Sequence, residues 1–264
     1  MIGIRDCEGY DELEGCVQLQ IETWGFDESD VIPRRAFRVA QKIGGQVIGA
    51  FDSELGSVEP GRGAGALVGF AAAWPGVKTN GGGLRPYLHS HMLAVRAAYR
   101  NRGLGAQLKR AQRVEALERG FRLMEWTFDP LEIKNAYLNI HRLGAVVSTY
   151  LEDFYGVSSS RLQGGLPTDR LVAEWRLDSA RVKATLEGRA QELLEITERI
   201  WVPAAVAEWK ATEADRDRAL AVQSENRRKF QRAFSQGLSV LGFARDAEGN
   251  GVFELGPRPS GDEA

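Results

Sequence analysis

The sequence predicts a mixed α/β fold. Three observations lead to this prediction: apolar runs of strand length alternate with segments of helical spacing, glycine and proline separate them, and the composition is that of an ordinary globular chain. The chain has 264 residues, of which 43% are hydrophobic and 27% are charged, so it is long enough to bury a substantial core. Its elements follow the order β-α-α-β-β-β-α-β-α-β-β over residues 1–178, which we interpret as one domain.

The first three elements are a short strand and two helices. Residues 2–7 alternate as a strand does, with Ile2 and Ile4 on one face. Residues 10–23 carry apolar side chains at steps of three and four, which indicates a helix. Pro33 begins the second helix, because proline lacks only an N–H group that the first helical turn does not use.

Three strands and a long helix come next. Apolar runs predict the strands, over residues 46–52, 66–74 and 87–95. The glycine-rich segments between them, 53–65 and 75–86, are interpreted as loops. Residues 102–119 have the spacing of an amphipathic helix. Its apolar positions are Leu104, Leu108, Ala111, Val114 and Leu117.

The remaining elements of this domain are a strand, a helix and two further strands. They span residues 121–128, 131–143, 145–151 and 171–177. Residues 179–256 are predicted to form an added C-terminal α/β segment, with a strand within 193–202, a long helical region from 203 to 236 and a hairpin over 238–255. Residues 257–264 predict a disordered tail. The added segment could extend the sheet, cover the acceptor site or form a homodimer interface.

Charge and cysteine content exclude several classes of protein. Lys and Arg total 34 against 36 Asp and Glu, and this net charge of −2 argues against a duplex-binding protein. Cys7 and Cys16 form no C-x-x-C pair, which argues against a disulfide scaffold and a cysteine-rich zinc site, so we expect no metal. The sequence shows no signal-peptide pattern and no membrane-spanning apolar run. We therefore expect a cytoplasmic protein without a membrane partner.

A basic, glycine-rich turn precedes the helix of residues 102–119. Its sequence is Arg100-Asn101-Arg102-Gly103-Leu104-Gly105-Ala106. The first N–H groups of a helix lack intrahelical partners and the helix dipole favours negative charge there, so a phosphate or pyrophosphate fits such a turn. The residues match neither a Walker loop nor a dinucleotide fingerprint. A simple tight turn is the alternative.

The surrounding pattern is similar to that of one enzyme superfamily. The string R-x-x-G-x-G follows a strand ending in Leu93-Ala94-Val95 and opens an amphipathic helix, which is typical of the Gcn5-related N-acetyltransferase (GNAT) superfamily. The helix around Asn135, with Gly144-Ala145 after it, resembles that superfamily's later N-x-x-A-x-x-x-Y-x-x-x-G-F motif. The resemblance covers about two-thirds of the chain, and residues 128–175 look like a little-characterised bacterial branch. It implies the GNAT acyl-CoA acyltransferase fold with an added C-terminal α/β segment.

The resemblance also implies a coenzyme site. Its cofactor is acetyl-CoA, or another short acyl-CoA such as succinyl-CoA. Backbone N–H groups of the glycine turn would bind the pyrophosphate, the last strand residues would pair with the pantetheine arm, and an amide near Leu93 would stabilise the oxyanion. The implied cofactor-binding residues are Leu93, Ala94, Val95, Arg100, Asn101, Arg102, Gly103, Leu104, Gly105, Ala106 and Asn135.

Two histidines are predicted to act as bases. His89 and His91 are two residues apart, so on a regular strand they share a face, which would also carry Leu93. The string H-x-H-x-L-A-V resembles the arylalkylamine N-acyltransferase branch, in which two such histidines relay the amine proton through water. The alternative is that they are ordinary polar strand residues. Glu125 or Asp129 could serve as a base instead.

The predicted acid and acceptor residues depend on weaker patterns. Ile140 stands where the superfamily usually has a tyrosine, so Tyr137, one turn earlier, is the candidate acid; a packing role for it, with water protonating the thiolate, is the alternative. The acceptor-binding candidates lie in the loop after the first helix. They are Trp24 and Phe26, which could line a pocket, and Asp27 and Glu28, which could attract a cationic amine. A solvated acidic loop is the alternative.

The predicted function is therefore acyl transfer from acyl-CoA to an amine. The leading hypothesis is an N-acetyltransferase that acts on a small-molecule amine or amino acid by direct attack on the thioester. Two alternatives stay open: a protein or peptide N-acetyltransferase, and a non-catalytic module that binds coenzyme A as a sensor.

Overall fold

The computed structural model describes residues 1–55, 65–80, 83–189 and 194–258. It divides into two compact units, Met1–Met124 and Glu125–Ala264. The predicted mixed α/β class is confirmed, since each unit combines helices with β-strands. The assignment of residues 1–178 to one domain and 179–256 to an extension stays a prediction. Residues 56–64 of the first predicted loop and residues 259–264 of the predicted tail lie outside the described residues.

Unit 1 contains four antiparallel strands in sequence order. They are β1 (Ile2–Asp6), β2 (Gln46–Asp52), β3 (Ala66–Asn80) and β4 (Gly83–Val95). Three helices accompany them, α1 (Gly9–Trp24), α2 (Arg34–Lys42) and α3 (Leu104–Glu118), and a 3-10 turn spans Ala97–Tyr99. The four strands and three helices were predicted in type, whereas the 3-10 turn was not, and β3 and β4 are longer than predicted.

The two faces of the unit 1 sheet bury different side chains. On one face, which we call the α1/α2 face, Leu13 and Phe37 of the helices pack against Phe70 and Met92. On the other, the α3 face, helix α3 contributes Leu104 and Leu108 to a cluster with strand residues. The strand members of this second cluster are Ile48, Ala50, Val68, Ala71 and Val95. The strand residues that belong to either cluster can therefore be assigned to a face.

The interpretation of residues 75–86 as a loop is wrong. They extend β3 and β4, whose pairing continues from Trp74↔His89 to Asn80↔Gly83. The glycines and prolines suggested a loop, but Asn80 is followed by Gly81, and an Asn-Gly pair between strands is a hairpin signal. Residues 81 and 82 lie outside the described residues.

Unit 2 contains the remaining strands in the order β5-β7-β6-β9-β10-β8. Their bounds are β5 (Leu123–Phe128, which begins at the end of unit 1), β6 (Val146–Leu151), β7 (Arg170–Arg176), β8 (Glu198–Val202), β9 (Leu238–Arg245) and β10 (Gly251–Pro257). The C-terminal segment joins this sheet through Val147↔Val240 between β6 and β9. Of the three roles that the sequence left open for the segment, unit 2 shows the extension of the sheet.

The helices of unit 2 differ from their predictions in three ways. They are α4 (Ile133–Ala136), which continues as a π-helical turn over Tyr137–Arg142, and α5 (Ala180–Leu186), α6 (Val206–Ala211) and α7 (Arg216–Ser235). Helix α5 was not predicted; Ser179 caps it by accepting a bond from the Val182 N–H at 3.2 Å. The single helical region expected over 203–236 is interrupted at Thr212, whose backbone is extended.

The end of the chain is ordered further than expected. Strand β10 continues to Pro257, and Arg258 donates to the Glu174 carboxylate at 2.9 Å, so residues 257 and 258 belong to the folded unit. None of the helices in the described ranges has the length and apolarity required to cross a lipid bilayer.

Candidate active site

The glycine turn forms an open helix N-terminus. Gly103, with φ of 77°, directly precedes α3, and no side chain caps the helix. The first backbone bond of the helix runs from the Gln107 N–H to the Gly103 carbonyl at 3.1 Å, which leaves the preceding amides without helical acceptors. A Cβ at Gly103 would meet no atom within 4 Å. The turn therefore has both the donors and the space that an anion such as pyrophosphate requires.

The two arginines of the turn have different surroundings. Arg100 donates from Nε to the Val95 carbonyl at 2.9 Å, which ties the turn to the end of β4. The Arg102 guanidinium lies 5.7 Å from the Tyr99 ring centre, at a cleft of about 240 Å³ beside the first turn of α3. The backbone of Asn101 adopts the left-handed conformation, with φ of 61°. Arg102 and the backbone amides can therefore contribute positive charge toward an anion at the turn, whereas the Arg100 side chain binds the Val95 carbonyl.

The last residues of β4 alternate between the two faces. Leu93 and Val95 pack with Leu104 and Leu108 on the α3 face, and Ala94 is buried on the α1/α2 face. The predicted platform for the pantetheine arm is thus anchored by its side chains on both faces. Its binding of coenzyme stays a prediction.

A β-bulge changes the direction of the histidines. The pairs Ala72↔Met92 and Trp74↔His89 enclose one residue of β3 and two residues, Ser90 and His91, of β4. Such a bulge interrupts the alternation of side chains along a strand. The ring centres of His89 and His91 are 5.9 Å apart, and the His91 and Trp74 rings are nearly perpendicular with their centres 5.7 Å apart.

The histidines therefore share a face with each other but not with Leu93. Trp74 packs with the α1/α2 cluster, whereas Leu93 packs with the α3 cluster. The expectation that one strand face carries all three residues is wrong, because the bulge separates His91 from Leu93. Trp24 and Phe26 stack on each other at 5.4 Å and pack against the same cluster as Trp74. The bulge thus brings the predicted bases to the side that carries the predicted acceptor aromatics.

Buried polar groups hold the bulge from the α3 face. The Ser90 hydroxyl accepts from the Lys109 ammonium at 2.7 Å and donates to the Gln112 side-chain oxygen at 2.9 Å. Burial lowers the pKa of Lys109 well below its ordinary value. Since Ser90 is directed to α3 in this way, its neighbours His89 and His91 are directed to the opposite face. No sequence pattern predicted this contact, because it joins a strand to a helix that is distant in the chain.

Both histidines are less basic than in water. Burial, then His91, Lys109 and Lys78, lower the pKa of His89 to about 4. Surrounding protein also lowers the pKa of His91, although its side chain reaches the surface. Both imidazoles are therefore neutral at pH 7 and able to accept a proton, but His89 is a weak base.

The low pKa of His89 predicts acid-sensitive stability. An unfolded histidine titrates near 6.5, so between that pH and about 4 the unfolded chain binds a proton that the folded protein does not. The free energy of unfolding should therefore fall as the pH decreases from 6.5 to about 4. His89→Gln should reduce this slope, as measured by urea unfolding across the same range. An identical slope in the variant would contradict the prediction.

The acidic residues of the acceptor loop are exposed. The Asp27 carboxylate accepts from the Ser29 N–H at 3.0 Å and from the Ser29 hydroxyl at 2.6 Å, so one of its oxygens stabilises the loop turn. Glu28 lies exposed beside it. Their attraction of a cationic amine stays a prediction.

The predicted residues of unit 2 lie around the π-helical turn. Asn135 is exposed in α4. The Tyr137 ring stacks on the His141 ring with their centres 4.5 Å apart, and the Arg245 guanidinium lies 5.8 Å from the centre of the Tyr137 ring. Ile140 is only 1% exposed. The wider π turn changes the angular spacing of a regular helix, so Tyr137 and Ile140 have different environments although they were expected on one face. The role of Tyr137 as an acid stays a prediction.

The acidic alternatives to the histidines are buried. Glu125 is 4% exposed, and the Asp129 carboxylate accepts from the Lys210 ammonium at 2.6 Å. Glu132 lies 3.2 Å from the same ammonium. Asp129 is thus part of an ion-paired cluster of unit 2. Within the described residues, no group of three His, Cys, Asp or Glu side chains could hold a metal ion.

A substitution at Gly103 should weaken coenzyme binding. Alanine would be strained at a φ of 77° and would direct a methyl group into the open turn, so we expect Gly103→Ala to raise the Kd of acetyl-CoA about 10-fold. Gly120→Ala is the matched control, because Gly120 follows the same helix with φ of 87° and equally open space. Isothermal titration of both variants tests the prediction. Equal affinities would contradict it.

Comparison with known proteins identifies similar sequences and folds. Residues 17–137 match the model of the acetyltransferase (GNAT) family. The structure of Arabidopsis thaliana NAA60 in complex with acetyl-CoA is 16% identical, with a TM-score of 0.53 over 68% of this chain and 100% of that chain. The same plant protein in complex with a bisubstrate analogue is 18% identical, with a TM-score of 0.50 over 66% and 98% of the two chains.

A third solved structure is more distant. It is yncA from Salmonella typhimurium with its cofactor acetyl-CoA, which is 18% identical with a TM-score of 0.49 over 68% of this chain and 95% of that chain. None of the curated proteins is significantly similar in sequence. At these identities the two NAA60 structures support the fold.

Proposed function

We propose that this chain, whose residues 17–137 match the model of the acetyltransferase (GNAT) family, transfers the acyl group of acetyl-CoA to the amine of a small molecule or amino acid. The observation that supports this proposal most is the bulge in β4. It turns His89 and His91 to the face of Trp74, which also carries Trp24 and Phe26. Neutral bases and apolar side chains on one face suit an amine that must lose a proton before it reacts.

The residues of the chain have separate tasks in this proposal. Acyl-CoA supplies a thioester carbonyl that a neutral amine can attack. An alkylammonium has a pKa near 10.4, so the protein must first remove a proton, and His91 or His89 accepts it, directly or through water. The amide near Leu93 would stabilise negative charge on the carbonyl oxygen. Tyr137 or water would return a proton to the departing thiolate.

The coenzyme would be bound mainly by backbone groups. The uncapped amides at the start of α3 and the space above Gly103 suit pyrophosphate, and Arg102 adds positive charge. In this proposal Leu93, Ala94 and Val95 pair with the pantetheine arm and Asn135 contacts it. Acetyl is the acyl group we propose, with succinyl as the alternative.

Two assays test the proposed function. Thermal-shift measurements with acetyl-CoA, succinyl-CoA and free CoA test the coenzyme site, and we expect stabilisation by at least one of them. Thiol release is then measured with a panel of amines, amino acids and one short peptide. Release with the small amines supports the proposal, release with the peptide alone supports the protein or peptide N-acetyltransferase, and binding without any release supports the sensor. Absence of stabilisation by all three would contradict the coenzyme site itself.

The location and the assembly also remain proposals. Cys7 and Cys16 are free thiols whose sulfur atoms lie 3.8 Å apart, which suits a reducing compartment such as the cytoplasm. Light scattering in solution tests the homodimer.

A further inference from the structure

Strands β3 and β4 form a projecting arm next to the histidines. The pairing of β2 with β3 begins at Gln46↔Ala73, whereas β3 and β4 stay paired beyond this point to Asn80↔Gly83. We call residues 75–80 of β3 and 83–88 of β4 the arm. The arm therefore begins next to Trp74 and His89 and extends beyond the end of β2.

One face of the arm continues the histidine face. Alternate residues of a strand lie on one side, and the register across the arm shows no second bulge, so the pair Trp74↔His89 is followed on the same side by three further pairs. These are Gly76↔Tyr87, Lys78↔Arg85 and Asn80↔Gly83. A Cβ at Gly76 would lie 2.5 Å from the Tyr87 ring, which shows that the ring covers this glycine.

The far end of this face is strongly basic. Lys78 and Arg85 are directly opposed and exposed, and like charges in this arrangement destabilise a strand pair. The Lys78 ammonium lies 5.5 Å from the Tyr87 ring centre, and its charge contributes to the lowered pKa of His89. From residue 66 to residue 95 the sequence contains no Asp or Glu. An anionic group placed between the two cations would convert their repulsion into attraction.

The arrangement suggests the shape of the acceptor. His89 lies four positions after Arg85, which corresponds to roughly 13 Å along the strand, and long basic side chains can shorten this separation. The Tyr87 ring lies between the two groups as an apolar surface. We propose that the arm recognises the carboxylate of an elongated amine acceptor, with Lys78 and Arg85 as specificity-determining residues. The inference depends on the proposed acyl transfer and assigns the acceptor class to it.

A length series of acceptors tests the arm. The probes are ω-amino acids of increasing chain length, each compared with the uncharged alkylamine of equal length. The rate measured is kcat/KM for thiol release from acetyl-CoA. We expect the ω-amino acid to exceed its alkylamine by about 10-fold at the length that spans the face, and by little at the shortest lengths. High salt should reduce the difference, because both cations are exposed.

A charge-removing variant provides the second measurement. Lys78→Met plus Arg85→Met should abolish the preference for the carboxylate, measured as the ratio of kcat/KM for each ω-amino acid to kcat/KM for its alkylamine. The matched control is Arg228→Met plus Lys229→Met, which removes two charges from α7 and should keep the preference. The reversal Lys78→Glu plus Arg85→Glu should favour a diamine of the same length.

The outcomes separate this inference from the proposed function. If the wild-type protein acylates no amine at all, the proposed function fails. If it acylates alkylamines and ω-amino acids equally at every length, acyl transfer stands and the arm inference is overturned. A preference that survives removal of both cations would also overturn it.

Discussion

Replacing both His89 and His91 with alanine should lower kcat by about 10²-fold or more and leave the affinity for acetyl-CoA unchanged. The expected effect follows from the loss of the two neutral imidazoles on the α1/α2 face. Their ring centres are 5.9 Å apart, and the His91 ring centre lies 5.7 Å from that of Trp74. The affinity should persist because the glycine turn around Gly103, where we propose that the coenzyme binds, lies in a different part of unit 1 and is not altered by the two substitutions. Steady-state thiol release and isothermal titration measure the two quantities.

The single variants should not be equivalent. Burial is the cause that lowers the pKa of His91, whereas His89 is also affected by His91, Lys109 and Lys78 and reaches about 4. His91 therefore keeps more basicity, and we expect His91→Ala to account for the larger share of the lost rate. Val77→Ala is the control, because Val77 is 61% exposed on the opposite face of the same strands. A double variant with wild-type kcat would eliminate the proton relay.

Lys210→Met should lower the free energy of unfolding by about 3–5 kcal/mol. The Lys210 side chain is 4% exposed and lies 2.6 Å from Asp129 and 3.2 Å from Glu132. These carboxylates raise its pKa despite burial, so the ammonium is charged in the folded protein. Methionine has similar volume but leaves the Asp129 charge buried without its cation. Urea unfolding at pH 7 measures the loss.

Two further variants identify the cause of this loss. Lys229→Met removes an exposed cation that lies 2.7 Å from Glu225 one helical turn away, and should cost about 0.3–0.5 kcal/mol. Adding Asp129→Asn to Lys210→Met removes the uncompensated charge but keeps an oxygen for the Leu131 N–H, now at 2.8 Å, and should recover part of the stability. A loss below about 1 kcal/mol for Lys210→Met would show that the charge is not effectively buried.

Local patterns were sufficient to predict most elements and the open glycine turn before α3. The strand, the glycines and the helix that make the turn are consecutive in sequence, so residues 93–106 specify both the open amides and the space above Gly103. The apolar spacing likewise predicted β2 to its end residues, since all seven of its residues are buried. Both kinds of signal depend on neighbours in the chain.

The arm and the π turn show where local patterns fail. Glycine and proline in residues 75–86 suggested a loop, yet cross-strand pairing makes residues 75–80 part of β3 and residues 83–86 part of β4. The helix around Tyr137 has ordinary helical spacing, and its π turn separates Tyr137 from the environment of Ile140. In each case the deciding contacts are made by backbone pairing that composition does not reveal.

The sequence by itself determined the α/β class, the glycine turn that opens a helix and the presence of two histidines two residues apart in a strand. Only the tertiary structure decided which way those histidines face, because the bulge depends on pairing with β3 and on the contact of Ser90 with Lys109 of α3. It also decided that Asp129 is paired, through a lysine 81 residues away. Hydrogen-bond register and burial act between segments that are distant in the chain, so spacing along the sequence cannot specify them.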